Sequence, residues 1–223
     1  MISTGNDIVS LNAINITRTK QYEFYSKILS DSENPLYKEF GLAGIPFENF
    51  IWLLWSIKES TYKFLQRNDP DLIFTPVKFV IKSLYLPSAY TVSGFSASKA
   101  QGTDFDDQAC IKGTITFGSY TLYSRSLIHH EFILSVVNHN NSFNKTCWGM
   151  KLIDSSDHDK QSKEVRSFLL ERLAQLYGAN DFTISKNSNG CPILLNGTGE
   201  SAIPVSLSHH QQFVAYSFQI ATP

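Results

Sequence analysis

The sequence predicts an α+β protein of two lobes, each a small, mainly antiparallel sheet packed by helices. Two long segments carry apolar residues at helical spacing, and shorter runs rich in β-branched and aromatic residues alternate with turn residues. Each half of the chain shows a strand, a helical segment and then further strands. We therefore predict an N-terminal lobe over residues 1–145 and a C-terminal lobe over residues 146–223, joined at the polar segment 139–145.

In the N-terminal lobe, the first predicted strand contains Gly5 and Asp7. From the residues alone, Asp7 is as well explained as a turn aspartate as it is as a metal ligand. The predicted elements of this lobe are a strand over 2–11, helices over 19–29 and 46–67, strands over 74–86, 111–117, 120–127 and 131–138, and a long loop over 88–108.

The helix over 46–67 carries a lysine in an unusual position. Helical spacing places Lys58 near the middle of the apolar face, whereas Glu59 falls at the edge of that face, with Lys63 one turn further on. A lysine inside an apolar stripe is costly to bury unless an anion pairs with it. The sequence leaves two candidates for that anion, a structural carboxylate or a phosphate of a ligand.

In the C-terminal lobe, the strongest signal is a helix over 159–177 that ends at Gly178. Predicted strands lie over 147–153, 182–184, 191–195, 204–207 and 212–220. The Ser208-His209-His210 run connects the last two. Without further information, an isolated histidine such as His209 is more often structural than functional.

The composition restricts the possible partners and compartment. The 223 residues are 42% hydrophobic and 17% charged with a net charge of −1, which predicts a folded protein with no bulk attraction to nucleic acid or to a membrane. The N-terminus lacks the pattern of a signal peptide, and the most apolar run, over 51–57, is too short to span a bilayer. Three widely spaced cysteines fit a reducing compartment, so we expect a cytoplasmic protein.

Three motifs carry a family resemblance. They are Gly5-Asn6-Asp7, Trp55-Ser56-Ile57-Lys58-Glu59-Ser60 with Lys63, and Ser206-Leu207-Ser208-His209. Together they resemble the 4′-phosphopantetheinyl transferase superfamily, whose signatures are a G-x-D strand, a W/F-S/T/C-x-K-E-A/S-x-x-K helix and an S-H-S/T turn. The motif order is that of the holo-acyl-carrier-protein synthase type, while Arg166, Gly190 and Pro192 look like the coenzyme half of the larger, surfactin-type enzymes. The resemblance implies a pseudo-dimer in one chain, hence a monomer.

The resemblance implies a reaction and roles for individual residues. A Mg²⁺-dependent enzyme would transfer the 4′-phosphopantetheine arm from coenzyme A to a serine of an apo acyl or peptidyl carrier protein, and would release 3′,5′-ADP. Asp7 and Glu59 would hold the Mg²⁺, Glu59 would be the base, and Lys63 would neutralise the leaving phosphate, so that these three residues form the catalytic set. The implied coenzyme-binding residues are Lys58, Lys63, Arg166, Gly190, Pro192, Ser208 and His209. Lys58 would meet a phosphate or Asp7.

Two departures from the family pattern keep other functions open. Val9 stands where surfactin-type enzymes carry a third carboxylate, and Cys191 replaces the lysine of a G-K-P motif, which leaves Arg166, Lys186 or Lys160 to compensate. A non-catalytic paralogue that binds a carrier protein or coenzyme A is the first alternative. A metal phosphohydrolase with two carboxylates is the second, although it gives no reason for the Ser-His turn.

Overall fold

The computed structural model describes residues 3–42, 44–87, 98–178, 181–197 and 199–220, and in these ranges the chain is an α+β protein with antiparallel sheets. Its α-helices are α1 (Ile16–Thr19), α2 (Tyr22–Tyr25), α3 (Leu36–Leu42), α4 (Phe47–Gln66) and α5 (His158–Tyr177). Its strands are β1 (Gly5–Ser10), β2 (Val80–Tyr85), β3 (Lys99–Thr103), β4 (Ile111–Phe117), β5 (Tyr120–Ile128), β6 (Phe132–Asn138), β7 (Thr146–Leu152), β8 (Phe182–Lys186), β9 (Pro192–Asn196), β10 (Gly199–Glu200), β11 (Val205–His210) and β12 (Phe213–Gln219).

The first sheet has the strand order β1-β6-β5-β4-β2, and α4 packs against its β1 and β6 strands. The prediction of an amphipathic helix over 46–67 is confirmed by α4, whose Phe50, Ile51, Leu54, Ile57 and Phe64 are fully buried in the core of this sheet. Removing these side chains from water is the main stabilising contribution to the packing of the helix. The strands predicted over 111–117 and 120–127 are present as β4 and β5, which pair as a hairpin.

The second sheet has the strand order β11-β12-β7-β3, and α5 packs on β12 and β11. The apolar face of α5 buries Val165, Leu169 and Leu173. Gly178 follows the helix with φ of 65°, a left-handed conformation that confirms the predicted stop. A small third sheet has the strand order β10-β9-β8, and its β8 and β9 strands contact α5 and β11 respectively.

The two larger sheets meet along their edge strands β1 and β11. The backbone N–H of Asn6 donates to the Ser206 hydroxyl at 3.0 Å, and its side-chain amide donates to the Ser208 hydroxyl at 2.7 Å. Further along, the N–H of Ser10 donates to Nδ1 of His210 at 2.9 Å. These bonds join residues about 200 positions apart and bring the Ser-His segment alongside the Gly-Asn-Asp strand.

The predicted helix over 19–29 was wrong in its extent. Two short helices, α1 and α2, take its place, because Gln21 adopts an extended conformation with ψ of 135° between them. The sequence reading also missed α3.

The predicted loop over 88–108 was also wrong in part. Residues 88–97 lie outside the described ranges, but Lys99–Thr103 forms the edge strand β3 and pairs with β7. This segment therefore belongs to the second sheet, although it precedes the predicted boundary at residue 145. Among the described helices, none has the length and apolar character needed to cross a membrane.

Candidate functional site

Asp7 on β1 and Glu59 on α4 are connected by one ammonium group. Nζ of Lys63 lies 3.1 Å from Oδ1 of Asp7 and 3.2 Å from Oε1 of Glu59. Glu59 and Lys63 are one helical turn apart and therefore share a face of α4. The side chain of Asp7 is 6% exposed, whereas those of Glu59 and Lys63 are 26% and 25% exposed. The three predicted catalytic residues thus form one cluster, in which Asp7 is buried and Glu59 and Lys63 are partly exposed.

The close approach of β1 to α4 depends on Gly5. A Cβ placed on Gly5 would lie 1.9 Å from the carbonyl oxygen of Ser60. Because only glycine allows such contact between a strand and the backbone of a helix, Gly5 positions Asp7 against α4.

Burial raises the pKa of Asp7 to about 7 from its ordinary value of 3.8. The ion pair with Lys63 acts in the opposite direction, and the negative charge of Glu59 adds to the increase. For Lys63, burial lowers the pKa, but the attraction of Asp7 and Glu59 outweighs burial, so its pKa is raised and the ammonium stays charged at neutral pH.

We expect the stability of the Asp7→Asn variant, relative to that of the wild type, to increase as the pH rises. The pKa of Asp7 is higher in the folded state, so the stability that its protonated carboxyl contributes is full below about pH 4 and is lost as the pH rises through about 7. The variant has no such loss. The difference in free energy of unfolding, variant minus wild type, should therefore grow by about 2–3 kcal/mol between pH 5 and pH 8. Urea unfolding in EDTA measures it, and a constant difference would contradict the raised pKa.

His209 and Ser208 lie on opposite faces of β11, as neighbouring strand residues do. The His209 ring is half-buried, packs edge-to-face on His158 at 5.1 Å, and lies within electrostatic range of Lys63 and Glu59. Its pKa is lowered, chiefly by burial and then by His158 and Lys63, so the imidazole is neutral at pH 7. The Ser208 hydroxyl is buried in the junction, where it accepts the bond from Asn6.

A cavity of about 190 Å³ adjoins Lys63. Its lining combines the end of α4, the turn before β9 and the start of β11: Thr4, Lys63, Gln66, Arg67, Gly190, Cys191, Pro192, Val205, Ser206 and Leu207. The predicted residues Gly190 and Pro192 therefore meet Lys63 in one place, although nearly 130 positions separate them in the chain. The volume is below the roughly 300–1,000 Å³ of a site for a whole small molecule, so it suits one part of a larger ligand.

Arg67 is a site residue that the sequence reading missed. Its Nη2 donates to the carbonyl oxygens of Pro192 at 2.9 Å and Val205 at 2.5 Å, which ties the end of α4 to the second lobe. Arg67 lies four residues after Lys63, and this helical spacing was the signal that would have placed it on the same face. Lys63 and Arg67 supply the positive charge of the cavity lining, and neither Arg166, Lys186 nor Lys160 belongs to that lining.

The prediction that Lys58 binds the coenzyme needs correction. The Lys58 side chain is 0% exposed, and its Nζ lies 2.7 Å from Oε2 of Glu33 and donates to the carbonyl oxygen of Ile28. Glu33 is itself 0% exposed and also accepts from the N–H groups of Ser30 and Ile81. Of the two anions that the sequence left open for Lys58, the structure shows the structural carboxylate, that of Glu33. A phosphate has no access to the Lys58 ammonium in this conformation.

Arg166 lies half-buried on α5, and its buried Nε has no hydrogen-bond partner among the described residues. It is not part of the lining of the cavity that contains Lys63 and Gly190.

The carboxylate pair offers oxygen ligands for a metal ion. Oδ2 of Asp7 is buried and has no hydrogen-bond partner among the described residues, so it is available to coordinate an ion. Hard cations such as Mg²⁺ prefer oxygen ligands and keep several waters, so two carboxylates fit. Within the described ranges, no cluster of three or more His, Cys, Asp or Glu side chains is arranged to hold a metal.

Comparisons of the chain with models of protein families, with curated proteins and with solved structures each found no match. Any functional assignment therefore depends on the residues and on the geometry described above.

Proposed function

We propose that this protein is a 4′-phosphopantetheinyl transferase of holo-acyl-carrier-protein synthase type, folded as a pseudo-dimer of two α+β lobes. The observation that carries the proposal is the convergence of three motifs. Asp7, Glu59 and Lys63 form one cluster, Lys63 also lines a cavity with Gly190 and Pro192, and the Ser-His strand lies beside it. These segments are far apart in the chain, and a purely structural role for each would not require them to meet.

The substrates are coenzyme A and an apo acyl or peptidyl carrier protein. The serine hydroxyl of the carrier attacks the β-phosphate of coenzyme A, a new oxygen–phosphorus bond forms, the bond to the departing phosphate breaks, and 3′,5′-ADP leaves. Asp7 and Glu59 would hold Mg²⁺, which when bound supplies positive charge to the diphosphate.

Each residue of the cluster has a task that its position allows. Glu59 is the more exposed carboxylate and takes the proton of the serine hydroxyl. Lys63 and Arg67 neutralise the diphosphate at the cavity, which compensates for the lysine that Cys191 replaces. The His209 imidazole, neutral at pH 7, can donate an N–H to a phosphate oxygen of the coenzyme. Ser208 supports this site indirectly, because its hydroxyl holds β11 against Asn6.

Carrier loading with a Glu59→Gln variant tests the proposal. The protein, coenzyme A and Mg²⁺ are incubated with a panel of apo-carriers, and mass spectrometry detects the added phosphopantetheine. Loss of the base should slow loading by about 10²–10⁴-fold. Glu171→Gln, at an exposed helical glutamate on α5, is the matched control and should load at the wild-type rate. Loading at the wild-type rate by Glu59→Gln, or no loading of any carrier, would overturn the proposal.

A non-catalytic protein that binds a carrier or coenzyme A is the second candidate. The observation in its favour is the uncharged Cys191 in the cavity, where the family pattern has a lysine. Tight binding of coenzyme A without loading of any carrier would support it. For either function we propose the cytoplasm, since the three cysteines are free thiols, and we propose a monomer.

A further inference from the structure

The Lys63 ammonium occupies the position between the two carboxylates. It lies 3.1 Å from an oxygen of Asp7 and 3.2 Å from an oxygen of Glu59, so each carboxylate already has a cation in contact. With both carboxylates ionised, the formal charge of the three groups together is −1. A divalent ion held by the same two carboxylates would lie close to the Lys63 ammonium, and the two positive charges would repel each other.

The neighbouring cavity offers the Lys63 ammonium a second position. It lines the 190 Å³ cavity together with Arg67 and Gly190, and a quarter of the side chain is exposed. The four-carbon stem of a lysine is flexible, so its ammonium can move between positions a few ångströms apart. An anion in the cavity would give the ammonium a partner away from Asp7.

One oxygen of the Asp7 carboxylate, Oδ2, is available to bind a ligand. Within the part of the chain that the structure describes, its buried Oδ2 has no hydrogen-bond partner, and the residue as a whole is 4% exposed. A buried carboxylate oxygen without a partner is unfavourable, and an ion that binds it would remove that cost. The Lys63 ammonium donates its hydrogen bond to the other oxygen, Oδ1, at 3.1 Å.

We propose that Lys63 is an internal cation that competes with a divalent metal ion for Asp7 and Glu59. In the absence of ligand, the ammonium holds the carboxylate pair and keeps its affinity for metal low. With a diphosphate in the cavity, the ammonium moves to that anion and leaves the carboxylates to the metal. This inference rests on the metal site of the proposed function and adds a coupling between the metal and coenzyme A that passes through one side chain.

Titration with Mn²⁺, followed by electron paramagnetic resonance without coenzyme, tests the competition. Lys63→Met, uncharged and of similar length, should bind Mn²⁺ at least about tenfold more tightly than wild type, whereas Lys63→Arg, which keeps the charge, should remain within about threefold of wild type. Adding Asp7→Asn to Lys63→Met should abolish the tight binding, which locates the ion. Equal or weaker binding by Lys63→Met, or tight binding that survives Asp7→Asn, would overturn the competition.

Arg67→Gln separates direct contact from the general effect of charge. Arg67 is a cation of the same cavity, but it donates to the carbonyl oxygens of Pro192 and Val205. Its loss should raise Mn²⁺ affinity by less than about threefold, because the carboxylates keep their ammonium. A gain equal to that of Lys63→Met would contradict the proposal and assign the effect to net charge.

A second titration with coenzyme A present keeps this inference distinct from the proposed function. Coenzyme A should increase the Mn²⁺ affinity of wild type by a larger factor than that of Lys63→Met. Coenzyme A also binds Mn²⁺ in solution, but this binding is the same in both titrations and cancels when the two proteins are compared. If Lys63→Met binds Mn²⁺ more tightly but coenzyme A changes neither protein, the competition stands and coenzyme A is the wrong ligand. If the coenzyme effect is equal and large in both, the function stands and the coupling through Lys63 is wrong.

Discussion

Replacing Gly5 by alanine is expected to destabilise the protein by more than the roughly 1–3 kcal/mol that overpacking of a core usually costs. The new Cβ would lie 1.9 Å from the carbonyl oxygen of Ser60 and 2.8 Å from the backbone nitrogen of Phe64. Both are backbone atoms of α4, which cannot yield without moving Glu59 and Lys63. Because a folded domain is stable by only about 5–15 kcal/mol, this loss is a large fraction of the total stability.

Urea unfolding followed by circular dichroism measures this effect. Gly199→Ala is the matched control, since Gly199 also lies in a strand but a Cβ there would meet no atom within 4 Å. We expect the control to change the free energy of unfolding by less than about 1 kcal/mol. A Gly5→Ala protein with the wild-type unfolding midpoint would contradict the close packing of β1 on α4, and with it the geometry that places Asp7 beside Glu59.

The elements that the sequence predicted well are those with a strong local signal. The helices α4 and α5 follow from long apolar periodicities, and the end of α5 follows from Gly178, since the conformation that stops a helix favours glycine. The strand β3 had no such signal: its sequence, Lys-Ala-Gln-Gly-Thr, lacks the usual β-formers apart from its threonine. Its pairing with β7, more than 40 residues away, supplies the strand geometry, and local propensity cannot predict such pairing.

For the candidate site too, the sequence predicted the local contacts and not the distant ones. Helical spacing alone placed Lys63 next to Glu59, but nothing in the spacing of residues brought Asp7 to them. That contact depends on which strand packs against α4, a choice made by the whole core. The partner of Lys58 illustrates the same limit, because the sequence showed that an anion was required and could not choose Glu33 over a ligand.

Replacing Lys58 by methionine is expected to lower the free energy of unfolding by about 3–5 kcal/mol. Methionine preserves most of the volume, so the loss comes from the Glu33 carboxylate, which would remain fully buried without its cation. Glu33 accepts hydrogen bonds from the N–H groups of Ser30 and Ile81. These bonds hold it between strand β2 and the turn that precedes α3. Glu33→Gln should also destabilise the protein, since the buried Lys58 ammonium would then lose its counter-charge.

The double variant Lys58→Met with Glu33→Gln separates the structural role of the pair from a role in coenzyme binding. With both charges absent, its loss of stability should be smaller than the sum of the two single losses by about 1–3 kcal/mol. The folded double variant should bind coenzyme A as wild type does in calorimetry, because the Lys58 side chain is 0% exposed. An affinity about tenfold weaker would instead make Lys58 a coenzyme ligand. It would also mean that the Lys58–Glu33 pair opens when coenzyme A binds.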